Sequence, residues 1–325
     1  MDLSTSYMGI ALKNPIIVSS NKLTASIEEV KKCAEKGAGA VVLKSLFEEQ
    51  LLTDTSKLET DDNKYYWFPE AIDYVARHAK GKGVQEYLEL IKQAKKETSI
   101  PIFASINCVT DTEWPEFAKK LEEAGADGLE LNISIIPFTE EMHCRDIEDR
   151  YVGIVKAVKK HVKFPVSVKL GSYFTNPVMI AKRLLEAGAD GLVVFNRYFR
   201  PDIDIESESI ITTNYFSAPE ENTKPLRWVS ILKSSLDCQV AAGTGIHCAE
   251  GVIKQILAGA DATQICTTLH KHGISYIGTI LERMEEWMER KGYNSLSEFK
   301  GKMLEDQKNF AAFQRIQFLK RTIEE

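Results

Sequence analysis

The phrase Glu122-Glu123-Ala124-Gly125-Ala126-Asp127-Gly128-Leu129-Glu130-Leu131-Asn132-Ile133 constrains this chain more than any other stretch. Gly125 reads as a helix end, because glycine enters the left-handed region freely after the last helical turn. Ala126 and Asp127 turn the chain, and Gly128 to Ile133 reads as a short buried strand that carries an amide at Asn132. The same joint recurs at Gly37-Ala38-Gly39-Ala40, at Gly188-Ala189-Asp190-Gly191 and at Gly259-Ala260-Asp261-Ala262. A helix that runs repeatedly into a short apolar strand is the αβ half of a parallel sheet with helices on its faces.

Taken in order, the apolar runs place strands at Pro15–Ser20, Ala40–Lys44, Pro101–Asn107, Gly128–Ile133, Pro165–Leu170, Gly191–Asn196, Cys238–Ala242 and Ala262–Cys266. Helical spacing falls between them, at 84–98, 112–123, 146–161, 177–186, 224–235, 248–257 and 273–290. Ser26 followed by Glu29 has the spacing of a capping box for the first helix. Eight strands alternating with helices predict an α/β fold, the (β/α)8 TIM barrel, as a single domain over residues 1–300. Residues 295–325 read as further helix, so 301–325 is assigned to a C-terminal helical extension. An open doubly wound sheet is the alternative, but no GxGxxG follows the first strand. Two connections are long, residues 45–82 with Tyr65-Tyr66-Trp67-Phe68-Pro69, and residues 197–224. Long connections inside a compact domain are usually functional.

A net charge of −6 over 325 residues argues against nucleic-acid or membrane-surface partners, since neither polyanion attracts an acidic surface. Six scattered cysteines fit reduced thiols better than a disulfide framework or a zinc site, so no metal is expected. Residues 1–14 lack a basic start followed by an apolar run, and no stretch of about 18 apolar residues occurs. A soluble, cytoplasmic protein acting on a small molecule is the expectation.

In such a barrel the site lies at the C-terminal ends of the strands. Those ends read Ser19-Ser20, Lys44-Ser45, Asn107, Asn132, Lys169, Asn196, Gly243-Thr244-Gly245 and Cys266-Thr267. Buried amides and ammoniums are costly without partners. Their gathering at equivalent positions therefore predicts a ligand, the alternative being that they cap loops or pair with carboxylates. Gly243-Thr244-Gly245-Ile246 and Cys266-Thr267-Thr268 stand where barrels often bind phosphate, with backbone N–H groups and a helix start as donors.

Along nearly its whole length the chain resembles the dihydroorotate dehydrogenase family of flavin barrels. The resemblance is carried by Leu3-Ser4-Thr5, Gly9 to Pro15, Lys44-Ser45, Glu130-Leu131-Asn132-Ile133-Ser134, Val168-Lys169-Leu170, Asn196, Gly243-Thr244-Gly245-Ile246 and Gln264 to Lys271. Lys291 to Lys302 is similar to the soluble class, and no membrane-docking N-terminal helix pair is visible. The resemblance implies FMN across the barrel mouth and oxidation of dihydroorotate to orotate in pyrimidine biosynthesis. It places Ser20 against the flavin, Lys44 between flavin and substrate, and Lys169 at the flavin's pyrimidine edge, where a cation stabilises the anionic reduced ring. Asn107 and Asn132 would bond flavin and substrate, Asn196 the substrate, and Thr244, Gly245, Cys266 and Thr267 the phosphate. A homodimer is implied as well.

The substrate side departs from the family pattern. The family's base, a cysteine or serine three residues beyond the strand-end asparagine, is Ile135 here. Ser134 and Cys144 are the substitutes carried forward, with His143 and Cys108 as further candidates, and Arg197 stands where the family has a small hydroxyl residue. Two other readings stay open: an FMN barrel with a different, anionic substrate, and a non-catalytic barrel that binds phosphate or flavin.

Overall fold

The computed structural model describes residues 1–47, 82–108, 114–135, 137, 139–198, 201–212 and 216–304. The aromatic run Tyr65 to Phe68 and the extension beyond residue 304 lie outside them. The chain opens with an antiparallel hairpin, β1 (Thr5–Tyr7) and β2 (Ile10–Leu12), which the sequence reading does not contain. There follow β3 (Ile16–Val18), α1 (Ile27–Glu35), β4 (Ala40–Val42), β5 (Leu46–Phe47), α2 (Lys82–Glu97), β6 (Ile102–Cys108), α3 (Trp114–Glu123) and β7 (Gly128–Ile133). Then come α4 (Cys144–Lys159), β8 (Val166–Leu170), α5 (Pro177–Glu186) and β9 (Gly191–Val194). The chain continues with a second hairpin of β10 (Pro201–Asp204) and β11 (Ser209–Thr212), then α6 (Thr223–Ser235), β12 (Val240–Gly243) and α7 (Ala249–Leu257). It finishes with β13 (Ala262–Ile265), α8 (Thr267–His272) and α9 (Tyr276–Lys291).

Strands β3, β4, β6, β7, β8, β9, β12 and β13 pair in that order, all parallel, and β13 returns to β3. The ring is closed, as the alternation of strands and helices predicts. The long connection 197–224 carries the β10–β11 hairpin rather than plain loop, and residues 295–304 hold a single 3-10 turn, Leu296–Glu298, rather than further helix. Ser26 caps α1 by accepting from the Glu29 N–H at 3.4 Å. Among the described residues no helix is long and apolar enough to cross a membrane.

The repeated joint has one geometry. Gly37, Gly125, Gly188 and Gly259 take φ of 101°, 98°, 107° and 100°, so each helix ends on a left-handed glycine. The Asp127 carboxylate accepts from the Ile102 N–H at 2.7 Å, Asp190 from Val166 at 2.8 Å and Asp261 from Val240 at 2.7 Å. Each aspartate therefore reaches the first residue of the preceding strand. Each also pairs with a lysine late in the helix before that strand: Lys95 at 2.7 Å, Lys159 at 2.8 Å and Lys233 at 3.2 Å. At the fourth joint Gly39 replaces the aspartate, and Asn14 supplies the acceptor, taking the Ile16 N–H at 3.0 Å. A Cβ on Gly39 would stand 2.2 Å from the Asn14 carbonyl oxygen, so only glycine fits beside that substitute.

Inside the ring, alternation sorts side chains into layers. The floor is Ile17, Ala40, Val42, Phe103, Val193, Ala241 and Ala262, closed from below by Tyr7, Met8 and Leu12 of the first hairpin. Tyr7 meets Phe103 edge-on at 6.4 Å. Above this floor the interior turns polar.

Asp261, with 5% of its side chain exposed and both Lys233 and Lys300 against it, anchors its joint more deeply than Asp190 at 38%. Asp261→Ala is expected to cost about 3–5 kcal/mol of unfolding free energy, and Asp190→Ala nearer 1 kcal/mol, measured by urea denaturation.

Candidate active site

Register builds the site in rows. Asn107 lies opposite Asn132, and Asn132 opposite Lys169. One row below, Ser105 lies opposite Glu130, and Glu130 opposite Ser167. All face inward because they share parity along their strands, while Leu129, Leu131, Val166 and Val168 face the helices.

The upper row is cross-linked. The Lys169 ammonium, on a residue 8% exposed, donates to Gln264 Oε1 at 2.9 Å, Ser19 Oγ at 3.1 Å and Glu130 Oε1 at 3.3 Å. Those three bonds use all its hydrogens. Gln264 Nε2 donates in turn to Glu130 Oε2, and Glu130 is only 2% exposed. Asn196 Nδ2 donates to Asn132 Oδ1 at 2.8 Å. The expectation that strand-end cations and amides require a ligand is thus corrected for Lys169, which the protein satisfies internally through groups on β7, on β13 and at the end of β3. Asn107 makes no side-chain hydrogen bond among the described residues, and neither does the exposed ammonium of Lys44.

Above this row opens a cleft of about 680 Å3, including space continuous with solvent. Of the residues expected to hold a cofactor, Ser20, Lys169, Thr244, Gly245, Cys266 and Thr267 line it, and Asn196 and Arg197 line it from the substrate side. Lys44, Asn107, Asn132, Ser134 and Cys144 are not among the lining residues. Ser20 Oγ accepts from the Ser45 N–H at 2.8 Å, and Ser45 Oγ lies 2.8 Å from Ser105 Oγ, which ties the first strand end to the third. Arg197 pairs through Nε with Glu221 at 3.2 Å.

Along the same cleft the ends of β12 and β13 form a backbone cradle. Thr244 and Gly245 take φ of 76° and 75°, two consecutive residues in the left-handed region. A Cβ on Gly245 would lie 2.1 Å from the Asn222 backbone nitrogen. Thr244 Oγ1 donates to the Phe195 carbonyl at 3.0 Å, which holds its strained backbone in place. The N–H groups of Thr244, Gly245 and Ile246, and that of Thr267 at the start of α8, donate to no acceptor among the described residues. Across the cradle, Ser217 Oγ donates to Thr267 Oγ1 at 3.1 Å and lies 3.1 Å from His247 Nε2. Burial lowers the His247 pKa, and Lys271 adds to the effect. Burial pushes the Cys266 thiol up, against the pull of Lys169. Unpaired N–H donors lining one cleft suit an oxyanion such as a phosphate.

The loop after β7 is held by three tyrosines. Tyr151 donates to the Ile133 carbonyl at 2.7 Å and Tyr173 to the Ile135 carbonyl at 3.0 Å. Tyr151 and Tyr173 touch at 2.8 Å, and Tyr173 and Tyr198 at 3.3 Å. Burial raises the Tyr151 and Tyr173 pKa values far above neutrality, so both hydroxyls stay protonated. Ile135 itself is 3% exposed. Ser134 is half-buried, Cys144 is exposed at the first turn of α4 next to His143, and Cys108 is buried at the end of β6. None of Lys44, Ser134 and Cys144 lines the cleft.

The profile of the dihydroorotate dehydrogenase family matches residues 2–288. The chain belongs to that family. Its members are flavin-dependent oxidoreductases acting on a CH–CH bond. The chain is 31% identical over 309 residues to the catalytic subunit of dihydroorotate dehydrogenase B (NAD(+)) of Pyrococcus abyssi, covering 92% of this chain and 98% of that one. It is 29% identical over 310 residues to the protein of the same name from Thermoplasma volcanium, with the same coverage. A putative dihydroorotate dehydrogenase A (fumarate) of Aeropyrum pernix is 27% identical over 307 residues, covering 92% of this chain and 97% of the relative.

Glu130, Gln264, Ser217 and His247 are absent from the sequence expectations for the site. For Glu130 a signal was present: Glu130 and Asn132 share parity between Leu129, Leu131 and Ile133, which turns both inward. Ser217 and His247 meet only through the fold.

Gly245→Ala is expected to lose stability by at least the roughly 1–2 kcal/mol of a left-handed alanine, with a further loss from the Asn222 collision. Thermal unfolding of the two proteins side by side measures it.

Proposed function

We propose that this protein is an FMN-dependent dihydroorotate dehydrogenase, oxidising dihydroorotate to orotate in pyrimidine biosynthesis. The observation that carries the reading is the pairing, in one cleft of a chain of this family, of an unsatisfied N–H cradle with a buried cation. The donor set fits a phosphorylated flavin: neutral N–H and hydroxyl groups together with an ammonium in one cleft. FMN would supply the hydride acceptor of the reaction. Thr244, Gly245, Cys266 and Thr267 would hold its phosphate, Ser20 would lie against its ring, and the Lys169 ammonium, kept in place by its three internal bonds, would present its charge to the pyrimidine edge. Asn107 and Asn132 bond flavin and substrate, and Asn196 and Arg197 bind substrate. Lys44 bridges the two from the rim, its ammonium being otherwise unengaged among the described residues.

The proton from the substrate goes to Ser134, the hydroxyl nearest in sequence to the family's base position, with Cys144 as the alternative acceptor. The internal Tyr151–Tyr173–Tyr198 cluster keeps that loop in place, and Tyr151 and Tyr173, their pKa values raised by burial, stay protonated and take no proton. The protein works in the cytoplasm as a homodimer. The exposed isoleucines Ile203 and Ile210, opposite one another across the β10–β11 hairpin, support an apolar contact between copies. The relatives named as catalytic subunits support an additional subunit as the outlet for electrons.

A second reading keeps the flavin and changes the substrate. It is favoured by Ile135 at the base position and by the Arg197–Glu221 pair on the substrate side, which suits a different anionic molecule.

Purified protein is expected to be yellow, and anaerobic dihydroorotate is expected to bleach it. Bleaching no faster than in buffer, in a yellow protein, would transfer support to the second reading. Ser134→Ala is expected to slow bleaching by roughly 10²–10⁴-fold, the usual worth of a general base, without loss of flavin. An unchanged rate there with a loss in Cys144→Ala moves the role to Cys144. Ile203→Asp is expected to convert a dimer to a monomer in light scattering.

A further inference from the structure

Among the described residues Glu130 is the most deeply buried carboxylate that faces the site, and none of the roles above uses it. It is 2% exposed, lies one row below Asn132 and Lys169, and does not line the cleft. Both its oxygens are committed, Oε1 to the Lys169 ammonium at 3.3 Å and Oε2 to Gln264 Nε2. A carboxylate in such a place is costly without a cation beside it, and removing one partner of a buried pair is more costly still. Glu130 and Lys169 therefore act as one electrostatic unit, of which only Lys169 reaches the cleft.

The geometry graduates that unit. Gln264 bridges it, accepting from Lys169 at 2.9 Å through Oε1 and donating to Glu130 through Nε2, while Ser19 accepts from the ammonium at 3.1 Å. Gln264 and Ser19 are neutral, so they aim the ammonium without changing its charge. Among the described residues Glu130 is the one anion against it, and it offsets the positive potential that Lys169 projects upward. At separations of 3–4 Å between buried charges such an offset is large compared with thermal energy.

We propose that Glu130 sets the reduction potential of the bound flavin by partly neutralising Lys169, acting as a positioning and charge-tuning residue rather than a catalytic one. This rests on the flavin reading above. Reduction places negative charge on the flavin's pyrimidine side, and an unopposed cation there favours the reduced form. Glu130 holds that preference down, which suits an enzyme whose flavin must pass its electrons on.

The test is a dye-equilibrated reductive titration of the holoprotein and of Glu130→Gln, which keeps the shape and removes the charge. The variant is expected to raise the flavin's potential enough to shift its reduced-to-oxidised ratio at least tenfold at fixed potential, about 30 mV for a two-electron couple. Lys169→Met is expected to lower the potential, and adding Glu130→Gln to it is expected to change little further, since the carboxylate acts through the ammonium. If Glu130→Gln does not fold, Glu130→Asp, with its carboxylate withdrawn from Lys169, is expected to raise the potential by a smaller amount. A yellow Glu130→Gln protein, or failing that a yellow Glu130→Asp protein, with the wild-type potential overturns the proposal and leaves the flavin reading intact. An equal shift on the Lys169→Met background also overturns it. A colourless wild-type protein that takes up no FMN overturns both.

Discussion

The structure depends on a carboxylate that ties each helix–strand joint to the strand before it. At Asp127, Asp190 and Asp261 a single side chain accepts the first N–H of the neighbouring strand and pairs with a lysine from the helix that led into it. The backbone at the same joints is tied in the opposite sense, Asp127 N–H to Ile102 O, Asp190 N–H to Val166 O and Asp261 N–H to Val240 O. Parallel strands cannot be joined by a tight hairpin, so their starting points must be aligned across a crossover helix. These clasps provide that alignment at one end of the ring. Once the strands start in register, their other ends reach the mouth at matching heights, and the polar rows follow from parity alone.

Those rows explain how an interior can be apolar below and ionic above without a break in packing. Tyr7, Met8 and Leu12 seal the floor against Phe103 and Ile17. Two residues further along the strands, Ser105, Glu130 and Ser167 begin the polar layer, and Lys169, Gln264 and Ser19 complete it. Burying an ammonium and a carboxylate is tolerable because each remaining hydrogen and oxygen finds a partner. The cleft above is left with backbone N–H groups unpaired among the described residues and with a contained positive charge. A phosphorylated, redox-active ring meets both requirements.

Much of this is legible in the letters. The Gly-Ala-Asp joints mark the helix ends, and strand-end Asn107, Asn132, Lys169 and Asn196 mark the mouth, because helix caps and polar residues interrupting apolar runs are local signals. The Thr244-Gly245 turn is legible for the same reason. What is not legible depends on which strands become neighbours. Lys169 finds its partners on β7 and β13 and beside β3, between 39 and 150 residues away in sequence, so its satisfaction within the protein cannot be read from its surroundings in the chain. The β1–β2 hairpin is missed because three-residue strands offer too short an alternation, and the β10–β11 hairpin because its residues are polar or exposed on both faces. Ser134 and Cys144 stand out in sequence as substitutes for a missing base, yet the fold leaves Cys144 exposed at the opening turn of α4.

On this account the Thr244–Ile246 and Thr267 N–H groups form an oxyanion cradle that holds the phosphate end of a flavin. Equilibrium dialysis of the flavin-free protein against FMN and against riboflavin, which lacks only the phosphate, tests it most directly. FMN is expected to bind at least a hundredfold more tightly, about 2.7 kcal/mol, from charge-assisted hydrogen bonds that riboflavin cannot make. Equal affinities for the two would contradict it.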